Sequence, residues 1–335
     1  MKFAGSHILS IEQFERADIR HIFDVADRME PYALRHKRTS VLDGAILGSM
    51  FFESSTRTRL SFGTAFNLLG GQVRETTGFA DSSIVKGESL YDTARVLSGY
   101  SDVICMRHPE AGSVSEFAKA SRVPVVNGGD GHNEHPTQAL LDLYTIRNEL
   151  RRQGLTVDGF KIAMIGDLRY GRTVHSLGRL LCLYDDVEIV LVSPEELSLP
   201  EGIEEELRAS NNKVTVTDNL EQGIAGVNIA YSTRIQEERF SSSEEADLYR
   251  GRFRLNQAVY TRNCAPNTVI MHPLPRDSRV EANELDSDLD ENPNLAIFRQ
   301  ADDGVLVRMA LFSLILEVDH LIEKYEQSVS WYTNK

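Results

Sequence analysis

The chain has 335 residues, 41% of them hydrophobic and 26% charged, which is typical of a soluble globular protein with about two domains. Its 36 basic and 50 acidic side chains give a net charge of −14, which argues against a general binder of nucleic acid or of anionic membranes. The same acidity argues, more weakly, against anionic small substrates.

The first half of the chain alternates predicted helices with predicted strands. Ser10 and Gln13 have the spacing of a capping box, and a helical stripe of apolar residues follows Asp18. Strands are predicted at 45–52, 102–106 and 123–129, and helices within 53–71, from near 89 to 99, and at 135–154. This alternation indicates an α/β domain with a mostly parallel sheet.

The second half repeats this pattern. Strands are predicted at 160–167, 187–194, 227–233 and 268–274, and helices around 175–184 and at 305–325. The polar, serine-rich segment 237–253 is a candidate mobile flap. We therefore predict an α/β fold with two similar-sized domains, each a mostly parallel sheet flanked by helices, joined by interdomain helices. Their predicted boundaries are 1–150 plus 304–335 for one domain and 151–303 for the other.

Cofactor, metal and membrane signals are weak throughout the sequence. The three cysteines lie far apart without a CxxC pair, so neither a zinc site nor a disulfide framework is supported. Gly166 and Gly171 are too far apart for a dinucleotide-binding fingerprint, and no phosphate-binding P-loop occurs. We expect no cofactor and no metal. The N-terminus turns acidic too early for a signal peptide, and Glu317 and Asp319 interrupt the one long apolar segment, so we expect a cytoplasmic protein without a membrane span.

A serine- and threonine-rich segment, 54–59, marks the turn between a predicted strand and a predicted helix. The first turn of a helix has unpaired N–H groups and the positive end of the helix dipole, so it binds anions readily. The hydroxyls of Ser55, Thr56 and Thr58 add donors, and Arg57 is able to hold two phosphate oxygens. The alternative is an ordinary capped surface helix with solvated arginines.

A second helix start carries a histidine and a glutamine. Pro136 occupies a favoured first-turn position, and a routine proline-initiated helix is the plain interpretation. In the functional interpretation, His135 donates to a developing oxyanion and Gln138 orients a polar group. Further candidates follow strands directly, where open α/β sheets bind ligands. They are Arg107, Arg172, Thr173, Arg234, Gln236 and the carbonyl of Leu274.

Taken together, these motifs resemble one enzyme family. The similar segments are 51–62, 86–90, 106–109, 129–145, 166–176, 233–240 and 271–276. In order and spacing they resemble the aspartate/ornithine carbamoyltransferase superfamily, over the whole chain except about its last dozen residues. The segments 233–236 and 271–276, with no cysteine in HPLP, are similar to the aspartate carbamoyltransferase catalytic chains rather than to the ornithine branch.

The resemblance implies transfer of a carbamoyl group from carbamoyl phosphate to L-aspartate, early in pyrimidine synthesis. It assigns a catalytic set of Arg57, Thr58, Lys86, Arg107 and His135. It assigns carbamoyl phosphate binding to Ser55, Thr56, Arg57, Thr58, Ser82, Lys86, Arg107, His135, Gln138 and Leu274. It assigns aspartate binding to Lys86, Arg172, Thr173, Arg234, Gln236 and Leu274. Supporting positions without direct substrate contact are Glu53, Arg239 and Arg308.

The resemblance also implies a homotrimer with shared active sites, because Ser82 and Lys86 match a loop that enters a neighbouring subunit's site. Val85 departs from members with a second lysine there. Regulatory chains or a dihydroorotase as further partners stay open. Two other interpretations are a carbamoyltransferase for another amine, such as ornithine, and an inactive scaffold paralogue. The basic side chains of Arg172 and Arg234 favour a dicarboxylate acceptor.

Overall fold

The computed structural model of the protein describes residues 1–77, 87–131, 133–240, 242 and 247–331. The chain divides into two units. The first comprises Met1–Leu140 with Asp303–Lys335, and the second comprises Leu141–Asp302. The division after Leu140 falls inside a helix, earlier than the boundary at residue 150 expected from the sequence.

Eleven strands lie in the described residues. They are β1 (Lys37–Thr39), β2 (Ile46–Phe51), β3 (Gln72–Thr77), β4 (Val103–His108), β5 (Val125–Asp130), β6 (Lys161–Ile165), β7 (Glu188–Val192), β8 (Lys213–Thr217), β9 (Ile229–Ser232), β10 (Val269–Met271) and β11 (Glu326–Ser328).

The α-helices of the same residues are α1 (Arg16–Ala33), α2 (Thr56–Leu68), α3 (Leu90–Leu97), α4 (Ser113–Ala120), α5 (Pro136–Arg152), α6 (Arg172–Leu181), α7 (Glu201–Ala209), α8 (Leu220–Gly223), α9 (Gln257–Asn263) and α10 (Ile297–Ile315). Short 3₁₀ turns occur at Ile11–Gln13, Glu195–Leu197, Glu237–Arg239, Ser287–Leu289, Asp319–Leu321 and Glu323–Tyr325. None of the helices in the described part of the chain is long and apolar enough to cross a membrane.

The first unit contains a four-stranded parallel sheet in the order β3-β2-β4-β5. Strands β2, β4 and β5 are buried on both faces along almost their whole length, as expected for a parallel sheet covered by helices. Phe62 and Phe66 of α2 pack edge-on against Phe312 of α10, with ring centroids 5.9 and 5.1 Å apart. These contacts fix helix α2 within its unit. A separate antiparallel ribbon joins β1 to β11.

The second unit contains a five-stranded parallel sheet in the order β10-β9-β6-β7-β8. Its core comprises buried aliphatic side chains from the sheet, such as Ile165, Val192 and Ile270, against which Leu274 packs. Both units are therefore α/β layers around parallel sheets, and the predicted fold class is confirmed.

Several sequence-based details need correction. The apolar pattern at 305–325 predicted one helix, but α10 ends at Ile315 and 3₁₀ turns follow. Glu317 adopts a left-handed conformation, with φ of 56°, which does not continue a right-handed helix. The strand predicted at 102–106 extends to His108, so Arg107 lies in the strand rather than after it. The strand predicted at 268–274 ends at Met271. The candidate flap 237–253 lies partly outside the described residues.

Candidate active site

The first anion-binding candidate is the start of helix α2. Strand β2 ends at Phe51, and Ser55 is the N-cap residue, with extended backbone at φ −160°. Within the described residues the Ser55 side chain makes no capping hydrogen bond. Thr56 and Arg57 are exposed, and Ser55 and Thr58 are half-buried. A helix start whose N-cap serine makes no capping bond is suited to bind an anionic ligand.

Arg107 lies beside this helix start. Strands β2 and β4 pair Phe51 with Arg107, so the end of β4 adjoins the end of β2. The Nε of Arg107 donates to Oε2 of Glu53 over 2.8 Å, and its Nη1 donates to the carbonyl of Gly128 at 3.5 Å. Because its side chain is only 11% exposed, Arg107 is held by neighbours from two strand ends rather than by solvent. Glu53 thus contacts an arginine of its own unit.

The third candidate group begins helix α5. His135 is buried and Gln138 is half-buried, and the N–H of Gln138 donates to the His135 carbonyl to close the first turn. The turn before His135 is organised by Asp130, which the sequence analysis missed. Its Oδ1 accepts the N–H of Glu134 at 3.0 Å, and its Oδ2 accepts the N–H of Gly112 at 2.9 Å. A buried carboxylate that ties two loops together fixes where His135 begins its helix.

The sheet order brings these three groups to one edge of the first unit. β2, β4 and β5 are neighbours, and parallel strands end at the same side of a sheet. A helix start, an arginine and a histidine are the kinds of groups that are suited to bind a phosphate and to donate to an oxygen that gains negative charge.

In the second unit, the turn after β6 leads to Arg172 and Thr173 at the start of α6. Both side chains are half-buried. Asp167, fully buried and also missed from the sequence, holds this turn. Its Oδ1 accepts the N–H of Tyr170 at 2.9 Å, and its Oδ2 accepts the N–H of Gln236 at 3.0 Å.

Arg234 and Gln236 follow β9, which pairs with β6. The Nη1 of Arg234 donates to the Ile235 carbonyl at 3.2 Å. Because Asp167 bonds the N–H of Gln236, the loops after β6 and β9 are joined at one edge of the sheet. The structure thus places Arg172, Thr173, Arg234 and Gln236 on two tied loops of the second unit.

Leu274 follows β10, the neighbour of β9. The N–H of Leu274 donates to His272, whose own N–H donates to Gln300. Through Gln300 this turn connects to a buried network around Asp142 of the second unit. Asp142 accepts hydrogen bonds from the Tyr231 phenol at 2.7 Å and from the Gln300 amide at 2.6 Å. Burial and the neighbouring Asp142 raise the pKa of Tyr231, so the phenol stays protonated and donates. The Thr173 hydroxyl bonds this phenol, which connects the start of α6 to the network.

A network of ion pairs lies along the loop that follows Gln236. Glu237 accepts from Arg250 at 2.7 and 2.8 Å and from Arg279 at 2.7 Å. The hydrogen bonds from Arg250 and Arg279 lower the pKa of Glu237 to about 2. Arg279 also pairs with Asp277, whose pKa it lowers. The loops that carry Arg234 and Leu274 are therefore joined by charged contacts as well.

Arg308 and Arg239 occupy different units. The Nη1 of Arg308 donates to Ser61 of α2 at 2.7 Å, and its guanidinium lies 4.7 Å from the Phe62 ring centroid. It therefore supports the helix that begins with Thr56. Arg239 lies in a 3₁₀ turn after Gln236. Ser82 and Lys86 lie outside the described residues. Among those described, no group of three or more His, Cys, Asp or Glu side chains is placed to hold a metal ion.

Comparison with protein families gives two matches. Residues 6–148 match "Aspartate/ornithine carbamoyltransferase, carbamoyl-P binding domain", and residues 158–315 match "Aspartate/ornithine carbamoyltransferase, Asp/Orn binding domain". The "Aspartate carbamoyltransferase catalytic subunit" of Cellvibrio japonicus is 71% identical over 100% of this chain and 99% of its own length. The protein of the same name from Saccharophagus degradans has the same identity and coverage.

Solved structures give the same result. The catalytic subunit of Methanocaldococcus jannaschii aspartate transcarbamoylase is 43% identical, with a TM-score of 0.84, and the match covers 95% of this chain and 98% of that one. Aspartate transcarbamoylase from Trypanosoma cruzi, in complex with carbamoyl phosphate and aspartate, is 38% identical with a TM-score of 0.85 over 94% of this chain and 98% of that one.

Proposed function

Because the chain belongs to the aspartate/ornithine carbamoyltransferase family, we propose that it transfers the carbamoyl group of carbamoyl phosphate to the amine of L-aspartate. The products are N-carbamoyl-L-aspartate and phosphate, in de novo pyrimidine biosynthesis. The observation that carries this proposal is the grouping of the α2 start, Arg107 and His135 at one edge of the first unit.

The phosphate of carbamoyl phosphate binds at the start of α2. Ser55, Thr56, Arg57 and Thr58 supply hydroxyl, amide and guanidinium donors, all of which favour a dianion. Glu53 holds the Nε of Arg107, which orients the guanidinium plane toward phosphate and carbonyl oxygens. Gln138 binds the carbamoyl amide, one helical turn after His135.

The reaction needs donors at the carbonyl oxygen. The aspartate amine forms a bond to the carbamoyl carbon, and the bond from that carbon to the phosphate oxygen breaks. Phosphate leaves with the electron pair and takes up the amine proton. Thr58, Arg107 and His135 stabilise the negative charge that develops on the carbonyl oxygen. No covalent enzyme intermediate is required.

The acceptor is a dicarboxylate rather than ornithine. Arg172, Thr173, Arg234 and Gln236 lie on joined loops of the second unit and supply cationic and polar donors for two carboxylates. A cationic acceptor such as ornithine would need acidic partners in this position. The name of the Trypanosoma cruzi relative's complex, with carbamoyl phosphate and aspartate, supports the same pair of substrates.

We further propose a cytoplasmic homotrimer in which Ser82 and Lys86 of one subunit complete the site of the next. A mixture of Arg57→Ala and Lys86→Ala subunits then regains activity, because some mixed sites contain neither substitution. If the reassembled mixture is no more active than its components, the shared site is wrong.

The substrate assignment is tested by incubating the purified chain with carbamoyl phosphate and either L-aspartate or ornithine. We expect carbamoyl aspartate and no citrulline. Arg57→Ala lowers kcat/KM by about a hundredfold or more, whereas Arg38→Ala, an exposed arginine of β1, serves as the charge-matched control and keeps normal turnover. Activity with ornithine alone, or near-normal turnover of Arg57→Ala, contradicts the proposal.

A further inference from the structure

The turn at Leu274 has an unusual backbone conformation. Leu274 is half-buried, and its φ of 58° lies in the left-handed region, which non-glycine residues seldom occupy. The direction of a carbonyl depends on the φ and ψ of its residue, so this conformation determines where the Leu274 oxygen points. Because leucine prefers negative φ, contacts with neighbouring residues must stabilise this turn.

The ring of His272 holds this turn. His272 is 1% exposed, and its Nδ1 accepts the N–H of Leu274 at 2.8 Å. An accepting Nδ1 carries no proton, so the proton of the neutral ring is on Nε2. That nitrogen lies 2.8 Å from Oε1 of Glu284, a contact whose N–H is not aligned as a hydrogen bond.

His272 is itself anchored at its main chain. Its N–H donates to the side-chain oxygen of Gln300 at 3.0 Å, and the Gln300 amide donates to Asp142 at 2.6 Å. The Gln300 amide has one orientation that satisfies both neighbours, because a flipped amide would face an N–H with an N–H and a carboxylate with an oxygen. Glu284 closes the far side of the loop by accepting the N–H of Asp277 at 3.2 Å.

We propose that His272 is a positioning residue that fixes the Leu274 carbonyl for the substrates through the bond from Leu274 N–H to its Nδ1. This inference rests on the proposed function, which assigns Leu274 to substrate contact. His272 itself touches no substrate. If His272 served packing alone, its effect would depend on the volume of its side chain and on its contact with Glu284. Positioning and packing therefore predict different effects for the same substitutions of His272.

Two amide variants separate these roles. His272→Asn puts an oxygen near the position of Nδ1, where an asparagine side chain readily accepts the N–H two residues on, but it loses the contact with Glu284. His272→Gln puts its amide near the position of Nε2 and keeps that contact, but it loses the bond to Leu274. We expect His272→Asn to retain the wild-type KM for L-aspartate within about twofold, and His272→Gln to raise it about three- to tenfold and to lower kcat. Binding of inorganic phosphate should be unchanged in both.

The outcomes are distinct. If the wild-type chain is inactive, the proposed function is wrong. If the wild type is active but His272→Gln keeps a lower KM for L-aspartate than His272→Asn, or both variants keep the wild-type KM, the positioning role of His272 is wrong. Should neither variant fold, hydrogen exchange of the wild-type chain gives the answer. A protected Leu274 amide supports the bond, and exchange at the rate of a free amide refutes it.

Discussion

Gly166, at the turn after β6, offers the sharpest structural test of the second unit. Its φ is 112°, a conformation available in practice to glycine alone. A Cβ added there would lie 2.4 Å from the carbonyl oxygen of Thr233 and 3.0 Å from its Oγ1. Both atoms belong to Thr233, the first residue after β9 and the one directly before Arg234. Gly166→Ala therefore strains the backbone and displaces the loop that carries the proposed acceptor site.

Two contributions determine how much stability Gly166→Ala loses. The unfavourable backbone conformation costs about 1–3 kcal/mol, and forcing a methyl group into a packed position costs about 1–3 kcal/mol more. We expect Gly166→Ala to reduce the free energy of unfolding by about 2–6 kcal/mol. The KM for L-aspartate should rise as well, because Thr233 must move and Arg234 follows it in the chain.

The assay is urea unfolding followed by circular dichroism, together with steady-state kinetics. Gly202→Ala is the matched control, since a Cβ at Gly202 meets nothing within 4 Å and the residue lies in helix α7. The control should be neutral or stabilising by up to about 1 kcal/mol. An unfolding midpoint and a KM for Gly166→Ala that match those of the wild type would refute the reasoning.

Three further predictions follow from buried and charged groups. Asp142→Asn replaces an acceptor with an amide whose N–H₂ faces a donor, so urea unfolding should show a loss of about 2–3 kcal/mol; an unchanged midpoint contradicts this. Arg250 and Arg279 lower the pKa of Glu237 from its usual 4.5 to about 2. The ionised Glu237 therefore contributes its full stability to the fold above pH 4.5, and this contribution is lost as the pH falls toward 2. On going from about pH 5 to about pH 3.5, the melting temperature of the wild type should therefore fall more than that of Glu237→Gln, and equal falls would refute the pairing. Burial raises the pKa of the Cys105 thiol, so a thiol reagent should modify it only after denaturant is added, as peptide mapping can check.

The sequence predicts the elements whose pattern is strong. Apolar runs identify β2, β4 and the strands at the centre of the second sheet, because strands covered on both faces need them, and in β5 the apolar part is only its first residues, Val125 and Val126. The edge strands β3 and β8 were missed, since their sequences, QVRETT and KVTVT, are polar and β8 is largely exposed. The β1–β11 ribbon was missed because it pairs residues 37–39 with 326–328, a contact that no local pattern indicates.

The net charge of the chain shows that composition alone does not predict which small molecules a protein binds. A net charge of −14 argued weakly against anionic substrates, yet Arg57 and Arg107 lie at one edge of the first unit, and Arg172 and Arg234 lie on joined loops of the second. A local group of arginines determines what binds there, whatever the rest of the surface carries. The positions of motifs relative to strand ends therefore carried the functional information that the composition lacked.

Asp130 and Asp167, the two buried aspartates that the sequence did not point to, share one local arrangement. In each unit a strand end carries a Gly-Asp pair, Gly129-Asp130 in the first and Gly166-Asp167 in the second, and these glycines have φ of 116° and 112°. Each aspartate is buried and accepts two main-chain N–H groups, one from its own turn and one from the loop after a neighbouring strand. The positive φ of the glycine turns the backbone at the strand end, and the carboxylate then joins the loops that follow two neighbouring strands. In the second unit these loops carry the candidate residues Arg172 and Arg234. A Gly-Asp pair at the end of a buried strand is visible in the sequence. Its partners are not, because they depend on which strands become neighbours in the sheet.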